Sequence, residues 1–311
     1  MKLSVIIVNW NVCDLLYECL TSFYAEMHLS SDEYEVIVVD NASTDNSLDM
    51  LINHFPQVDV IANSENVGFA RANNQAFPRC RGEYVLLLNP DTVIIDGAVN
   101  ILLRHASKHE DVAVMGCRLL NRDLSLQRWT GGAYPNLWNI ACHYLMLDRI
   151  LPTKLRSATL YLNHDYEQDI DVDWVSGAVM LLKRSSLGGA IFDESFFMYG
   201  EDMECCHRLK SKGWRIVYTS ICSIIHVQGA SMKKQEGEIL LSSLKGIRSF
   251  YMMIHGSRSV WLLDYLTLTG FFLRWCCFSV MKLLRPAYGY KIKSSSSWHH
   301  MQIARKIMKQ A

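Results

Sequence analysis

Residues 3–11 read LSVIIVNWN, an apolar run that ends in two asparagines separated by a tryptophan. Nearly continuous apolar runs of this length are typical of strands that are covered on both faces. The next segment carries apolar side chains at helical spacing, namely Leu15, Leu16, Cys19, Leu20 and Phe23. The start of the chain therefore predicts a buried strand, a polar strand end and an amphipathic helix.

The same alternation continues along the chain. Further apolar strand patterns occupy residues 36–39, 58–62 and 84–88, and helical periodicity lies between them, including residues 69–77. Strands that alternate with helices favour a parallel α/β sheet with helices on both faces. In such sheets ligands bind outside the carboxyl ends of the strands. Polar residues at those ends are thus the first candidates for a functional site.

Three strand ends carry such residues, at positions 9–11, 40–45 and 89–92. Asp, Asn, Ser and Thr are also common turn formers and helix caps, and we expect that role for residues 43–45. Asp40 and Asp91 differ, because each follows an apolar strand and a carboxylate there needs a partner. A ribose hydroxyl, a base N–H or a metal ion would supply one.

The sequence has no glycine-rich phosphate loop. It contains neither GxGxxG after the first strand nor GxxxxGK. This argues against a dinucleotide dehydrogenase and a P-loop enzyme, and a nucleotidyltransferase is disfavoured because no glycine-rich loop with Arg and Lys follows the first strand. A bound diphosphate would instead be neutralised by a divalent cation that carboxylates hold.

Charge is distributed unevenly. The chain has 311 residues, with 31 Lys+Arg and 31 Asp+Glu. From residue 233 onward there are 13 basic and 3 acidic residues, a net charge of +10 that leaves −10 on the first 232 residues. This pattern favours an anionic surface as partner, and we expect no nucleic acid. The ten cysteines show no CxxC spacing, so we expect reduced, apolar side chains.

Four segments, taken in order, resemble family 2 glycosyltransferases, and most of all the bacterial rhamnosyltransferase branch. The segments are SVIIVNWN at 4–11, VDNASTD at 39–45, NVGFARANN at 66–74 and NPD at 89–91. The resemblance implies an α/β fold of GT-A type, with a mostly parallel sheet and helices on both faces. The transferase domain would span 1–232, with a nucleotide-sugar-binding half at 1–115 and an acceptor and catalytic-base half at 116–232.

The resemblance also implies a donor site. Asp40 would contact the nucleobase or ribose, and Asp91 would be the last Asp of the family's DxD metal motif. Asn89 stands where the first Asp would be, so only one carboxylate remains to hold Mg²⁺ or Mn²⁺. Arg71 would bond the diphosphate, or would be a surface residue of its helix. The implied donor contacts are Asn9, Asn11, Asp40, Asn66, Gly68, Arg71, Asn74, Asn89 and Asp91.

Glu201 and Asp202 stand at the predicted start of a helix. Two acids there often only complement the helix dipole, an effect of about 0.3–1 kcal/mol. In the resembled family, however, an Asp at this position is the catalytic base of an inverting transfer. The attacking acceptor hydroxyl must lose its proton to a carboxylate within hydrogen-bond reach. We assign the base to Asp202, with Glu201 as the fallback.

His226 closes a further predicted strand. It resembles the family's late histidine, which completes the metal or diphosphate site, although a polar strand terminus is the alternative. A neutral imidazole is a suitable ligand beside Asp91. Small residues would let an acceptor approach, and tryptophans would stack on sugars or pack in the interior. The predicted acceptor and sugar pocket comprises Trp129, Trp174, Ser176 and Gly177.

Residues 260–284 form a long, largely apolar segment. On a helix, its polar residues and one just beyond it fall on one side, which favours a helix lying in a membrane interface over one that spans the bilayer. The alternative is a helix packed on the protein's own body. These polar residues are Asp264, Thr267, Arg274, Lys282 and Arg285. We therefore expect residues 233–311 to be a helical, basic, amphipathic appendage on an anionic membrane surface.

These patterns lead to one functional hypothesis. The protein would transfer rhamnose, with inversion, from dTDP-rhamnose to a saccharide acceptor, which we expect to be lipid-linked. It would act in cell-surface polysaccharide synthesis of the O-antigen or capsule type, at the cytoplasmic face of a bacterial inner membrane. The alternatives are a UDP-hexose or UDP-N-acetylhexosamine donor, or a non-catalytic sugar-nucleotide-binding assembly subunit.

Overall fold

A computed structural model describes residues 1–128, 130–147, 151, 160–162, 167–227, 236–284 and 288–309. Strands and helices alternate through its first part, as the hydrophobic pattern predicts. The elements in order are β1 (Leu3–Asn9), α1 (Cys13–Glu26), β2 (Tyr34–Asp40), α2 (Ser47–His54), β3 (Asp59–Ala62), α3 (Phe69–Ala76), β4 (Tyr84–Leu88), β5 (Thr92–Ile94), α4 (Ala98–Ala106) and β6 (Val112–Leu120).

The later part contains the long strand β11 and three long helices at its end. Its elements are β7 (Gly131–Gly132), α5 (Leu137–Tyr144), β8 (Ile170–Asp171), β9 (Trp174–Val175), β10 (Val179–Lys183), α6 (Glu201–Ser211), β11 (Arg215–His226), α7 (Glu236–His255), α8 (Val260–Leu284) and α9 (Tyr288–Lys309).

The main sheet has the strand order β3-β2-β1-β4-β10-β6-β11-β5, and β8 pairs with β11 at its side. β1, β2, β3 and β4 run parallel, as do β6 and β11. The other four pairings are antiparallel, because β10 enters between β4 and β6, and β5 and β8 each pair with β11 in the opposite direction. The sheet of the described residues is therefore mixed.

Apolar side chains of this sheet are buried on both faces. Leu16 of α1 and Leu102 of α4 belong to the same core cluster as Val5 of β1. Ile6 lies on the opposite face, since successive strand residues alternate, and it is equally buried. On that face α3 contacts β1 and β2 through small side chains such as Ala72. Helices on both faces leave the strand ends as the exposed edge of the sheet.

Contacts divide the chain into two units. Unit 1 comprises Met1–Gly132 and Tyr161–Lys233, and unit 2 comprises Ala133–Leu160 and Lys234–Ala311. Unit 1 holds the sheet, and unit 2 holds α5, α7, α8 and α9. The division into domains 1–232 and 233–311 stays a prediction, because residue contacts do not test which segments fold on their own.

Within unit 2, α8 packs its polar stripe inward. The side chain of Asp264 is mostly buried and pairs with Arg248 of α7 at 3.2 Å. Arg274 donates to the carbonyl oxygen of His143, and Thr267 is buried. The large side chains on the other side are exposed, including Trp261, Tyr265, Leu273, Val280, Leu283 and Leu284.

One stretch of the described residues, Ser257–Leu284, is long and apolar enough to cross a membrane by length and composition. Only 17% of its most apolar window is buried inside the structure. The predicted grouping of polar residues on one side of α8 is thus present for Asp264, Thr267 and Arg274, and they face their own unit. Arg285 lies outside the described residues.

Candidate functional site

Asn9 and Asp40 end the neighbouring strands β1 and β2 and are register partners. The Asn9 amide donates to Oδ1 of Asp40 at 2.8 Å and to Ser43 Oγ at 3.1 Å. The backbone N–H of Ser43 donates to Oδ2 of Asp40 at 2.9 Å. Asp40 is only 1% exposed, and each of its oxygens already accepts a bond. We call Asn9, Asp40 and Ser43 the closed corner.

The loops beside the closed corner are tied to one another. Asn11 has a left-handed φ of 55°, and its Oδ1 accepts from the Thr44 N–H at 2.7 Å. Asp45 accepts from the N–H groups of Cys13 and Ser47. Ser43, Thr44 and Asp45 thus all bond within these loops, whereas the N-cap residues of α1 and α2 are Val12 and Asn46 and make no side-chain cap bond. Asn11 lies beside the closed corner, and its contact with a donor stays a prediction.

A second strand-end cluster combines residues that are far apart in sequence. β5 pairs with β11 so that His226 lies opposite Thr92, which brings His226 to the end of β4. Nε2 of His226 is 3.2 Å from Oδ1 of Asp91 and 3.4 Å from Nδ2 of Asn89. His226 is 8% exposed. We call Asn89, Asp91 and His226 the open corner.

Gln127 orients the histidine of the open corner. Its amide nitrogen donates to the carbonyl oxygens of His226 at 3.0 Å and of the Asn121 side chain at 3.1 Å. Its Oε1 lies 2.7 Å from Nδ1 of His226. Because an amide oxygen can only accept, Nδ1 carries a proton. In the neutral ring the lone pair of Nε2 then faces Asp91.

This geometry fits a bound cation. Two acceptors 3.2 Å apart, Nε2 of His226 and Oδ1 of Asp91, repel each other unless a proton or a cation lies between them. One imidazole nitrogen and one carboxylate oxygen are ligands that Mn²⁺ accepts, and Mg²⁺ accepts the carboxylate. A histidine held by a hydrogen bond at its other nitrogen is also typical of metal sites. Asn89 donates toward Nε2 and adds no negative charge.

Glu201 and Asp202 begin α6, after a turn in which Tyr199 and Gly200 have positive φ values of 69° and 100°. Glu201 is 5% exposed, and burial, together with the charge of Asp202, raises its pKa well above the usual range. Burial raises the pKa of Asp202 to about 6, against the opposing effect of N–H donors on Met203 and Gly177. At neutral pH Asp202 is therefore the ionised member of the pair.

The segment between β9 and β10 contacts both Asp202 and the open corner. The N–H of Gly177 points at Oδ2 of Asp202 at 3.5 Å, and the carbonyl of the next residue, Ala178, accepts from the N–H of Asn89 at 2.9 Å. Ser176 Oγ accepts from the Ala178 N–H at 3.2 Å. Asp202 and Asn89 of the open corner are thus hydrogen-bonded to adjacent residues, Gly177 and Ala178.

Of the two predicted tryptophans, the structure describes Trp174, which precedes this segment on β9. Trp174 is 3% exposed, and its ring meets that of Tyr161 edge-on. A ring so buried presents almost no surface to a sugar, and its stacking role stays a prediction. Trp129 lies outside the described residues.

Residues 66–74, which we call the rim, comprise the loop before α3 and the first part of that helix. Gly68 has φ 88°, and a Cβ there would lie 2.7 Å from the Phe197 ring, so glycine is required. Its N–H donates to Asn66 Oδ1 at 3.0 Å. The guanidinium of Arg71 is more than half exposed, 4.0 Å from Glu194.

Asn74 is engaged differently from the rest of the rim. Its Oδ1 accepts from the N–H groups of Ile191 and Phe192, each at 3.0 Å, and its Nδ2 donates to the Phe192 carbonyl at 2.9 Å. The side chain thus fixes the segment that leads to the acidic pair. Its direct contact with a donor stays a prediction.

The structure therefore brings most of the predicted site residues to one edge of the sheet. Sequence reasoning missed Gln127, whose partner His226 is 99 positions away, so no local pattern marks it. It also missed the Gly177 N–H as a donor to Asp202.

Residues 4–168, more than half of the chain, match the family model described as Glycosyl transferase family 2. The N-acetylglucosaminyl-diphospho-decaprenol L-rhamnosyltransferase of Mycobacterium tuberculosis is 26% identical over 255 residues, which cover 78% of this chain and 81% of the relative. Rhamnosyltransferase WbbL of Escherichia coli K12 is 25% identical over 232 residues, which cover 71% of this chain and 82% of the relative.

A solved structure extends the likeness to the whole chain. The mannosyltransferase of Pyrobaculum calidifontis, in complex with GDP-Man and Mn²⁺, superposes with a TM-score of 0.61 at 16% identity, covering 98% of this chain and 86% of that one. At this identity the likeness concerns the fold, and the predicted α/β fold of GT-A type is confirmed.

Proposed function

This chain belongs to glycosyl transferase family 2, and within that family we propose an inverting rhamnosyltransferase that uses dTDP-rhamnose. Glycosyltransferase activity follows from the family, whereas the sugar and the acceptor are the proposal. The observation that carries it is the similarity to two relatives named as rhamnosyltransferases over more than 70% of this chain.

Asp202 is the base in this proposal. The acceptor hydroxyl attacks the anomeric carbon on the face opposite the nucleotide diphosphate, and the bond from that carbon to the diphosphate oxygen breaks. The hydroxyl proton passes to the Asp202 carboxylate as the new bond forms. The backbone N–H of Gly177 holds that carboxylate. Burial raises the pKa of the neighbouring Glu201 well above the usual range, which disfavours a second negative charge beside Asp202.

The open corner is the proposed site of the leaving diphosphate. Asp91 and His226 would hold a divalent cation, which would neutralise the charge that develops on the leaving group. Arg71 has an exposed guanidinium on the rim and is proposed to reach the same phosphates. The closed corner would receive the nucleoside, since each carboxylate oxygen of Asp40 has a second lone pair for a base N–H or a ribose hydroxyl.

A donor panel tests the sugar. The purified protein is titrated with dTDP-rhamnose, UDP-glucose, UDP-N-acetylglucosamine and GDP-mannose, each with Mn²⁺, with Mg²⁺ and with a chelator. We expect dTDP-rhamnose to bind most tightly, with Asp91→Asn abolishing the response to metal. Tighter binding of a UDP-sugar would replace the donor while leaving the family intact. Binding of a donor without any transfer to saccharide acceptors would support an assembly subunit instead.

A lipid-linked acceptor is the second part of the proposal. The exposed apolar side of α8 includes Leu283, which is 82% exposed, and Trp261. The chain from residue 233 onward carries 13 basic and 3 acidic residues, and basic groups add about 1 kcal/mol each near an anionic leaflet. The relative from M. tuberculosis is named for a decaprenol-linked substrate. These features support peripheral binding at the cytoplasmic face of a bacterial inner membrane.

Vesicle flotation tests that placement. The full chain should float with vesicles containing phosphatidylglycerol, and less with pure phosphatidylcholine or at high salt. The double variant Trp261→Ser, Leu283→Ser should float less. Ile52→Ser serves as the matched control, because Ile52 is an exposed apolar residue of α2 in unit 1. Equal flotation of the double variant and the wild type would overturn the role of α8.

A further inference from the structure

Unit 1 has a second cluster of metal-ligating side chains. His105 lies on the last turn of α4, and His109 follows four residues later. Nε2 of His105 is 2.5 Å from Oδ2 of Asp169, and the rings of the two histidines are 5.0 Å apart between centroids. One ligand atom from each of the three residues lies within 4.8 Å of the other two.

A hydrogen bond from β11 orients the carboxylate of this cluster. Thr219 of β11 is fully buried and donates to Oδ1 of Asp169 at 2.5 Å, which leaves Oδ2 facing the histidines. The carboxylate therefore has a fixed outer partner, an arrangement typical of metal sites.

The cluster is distinct from the open corner. Thr219 precedes His226 by seven residues on the same strand, and a strand advances about 3.3 Å per residue, or roughly 20 Å over that length. None of its three ligands belongs to the open corner or to the acidic pair.

We propose that His105, His109 and Asp169 bind a zinc-class transition-metal ion that joins the end of α4 to the residue preceding β8. Metal–ligand bonds of about 2.0–2.2 Å at tetrahedral angles place ligand atoms roughly 3.3 Å apart. The present separations, from 2.5 Å to at most 4.8 Å, bracket that value, so small side-chain rotations suffice. Two imidazoles and one carboxylate suit Zn²⁺, Co²⁺ or Ni²⁺, whereas the open corner suits Mn²⁺ or Mg²⁺.

Zinc titration of the full, chelator-stripped chain tests this site without measuring transfer. We expect one zinc equivalent in isothermal titration calorimetry, weakened roughly ten-fold or more by His109→Ala. Two controls should bind as the wild type does. Asp91→Asn removes the carboxylate of the open corner, and His54→Ala removes an exposed histidine from the last turn of α2.

Thermal melting supplies a second measurement. Zinc should raise the Tm of the wild type and of Asp91→Asn, because a ligand that binds only the folded state stabilises it, and should leave His109→Ala unchanged. Melting without zinc shows whether His109→Ala is folded. Zinc binding that is absent in the wild type, unchanged in His109→Ala, or lost only in Asp91→Asn would overturn the site.

Discussion

The closed and open corners both lie at strand ends of one sheet. Among the described residues, only in the closed corner do protein donors bond both oxygens of the carboxylate. In the closed corner, both oxygens of Asp40 accept bonds from the protein. In the open corner, Asp91 faces the acceptor nitrogen of His226 at 3.2 Å, and Gln127 holds the ring in that orientation. The first corner is stable by itself, whereas the second is complete only with a proton or a cation.

We therefore expect the closed corner to contribute mainly to stability and the open corner mainly to the reaction. A carboxylate whose bonds are satisfied within the fold contributes to stability and presents a fixed surface to a ligand. A carboxylate that faces a nitrogen lone pair can bind a cation, and one whose pKa burial raises can accept a proton during the reaction. Substitutions in or beside the open corner should therefore mainly lower activity, whereas substitutions in the closed corner should mainly lower stability.

The largest effect is expected at the base beside the open corner. Asp202→Asn should lower kcat by about 10² to 10⁴-fold, because the carboxylate assigned to take the acceptor proton is replaced by an amide, while donor binding persists. The wild-type kcat/KM should fall below about pH 6, since the pKa of Asp202 is raised to about 6 and only the ionised form accepts a proton.

Glu201→Gln is the matched control for the base. Glu201 is buried, and burial raises its pKa well above the usual range, so an isosteric amide should cost less than about ten-fold in kcat. If Glu201→Gln were the more damaging change, the two roles would have to be exchanged. Unchanged turnover of Asp202→Asn would remove Asp202 from the chemistry.

The next effect concerns the hydrogen bond that orients His226. Gln127→Leu should weaken Mn²⁺ binding by about 10 to 100-fold, because loss of a histidine's outer partner frees its tautomer and its ring. The measurement is Mn²⁺ titration by calorimetry or paramagnetic relaxation. Gln75→Leu provides the control, since Gln75 also loses a side-chain bond, to Asn63, away from the open corner. An equal loss in both variants would contradict the orienting role.

The smallest effect separates the two corners by stability. Asp40→Asn should lower the free energy of unfolding by about 1–3 kcal/mol, because one oxygen that now accepts a bond becomes an amide donor facing another donor. Asp91→Asn should change it by no more than about 0.5 kcal/mol, since a partly exposed amide can donate to His226. Urea unfolding of both variants at pH 7 measures the contrast. Equal losses would show that the open corner is as structural as the closed one.

Much of the fold was predictable from local patterns. β1, β2 and β4 and the helices between them follow from apolar runs and helical spacing. The polar residues that end these strands met at one edge because parallel neighbouring strands present their carboxyl ends together. Residues 260–284 were likewise predicted, and α8 spans Val260–Leu284.

Other features depend on strand pairing and on contacts between residues far apart in sequence, which no local pattern predicts. β10 enters antiparallel between β4 and β6, which mixes the sheet and places Gly177 beside Asp202. The side of α8 that faces its own unit depends on Arg248, 16 residues away from Asp264. Three members of the predicted polar stripe, Asp264, Thr267 and Arg274, face their own unit. Lys282 is exposed, as are apolar side chains on the other side of α8.

The sequence by itself determined the α/β fold, the glycosyltransferase family and the set of polar strand ends, because hydrophobic periodicity and short motifs act over neighbouring residues. Only the tertiary structure decided which of those ends the protein satisfies internally. Whether a carboxylate is completed by an asparagine from the next strand, as at Asp40, or is left facing a histidine, as at Asp91, depends on long-range strand order and side-chain hydrogen bonds.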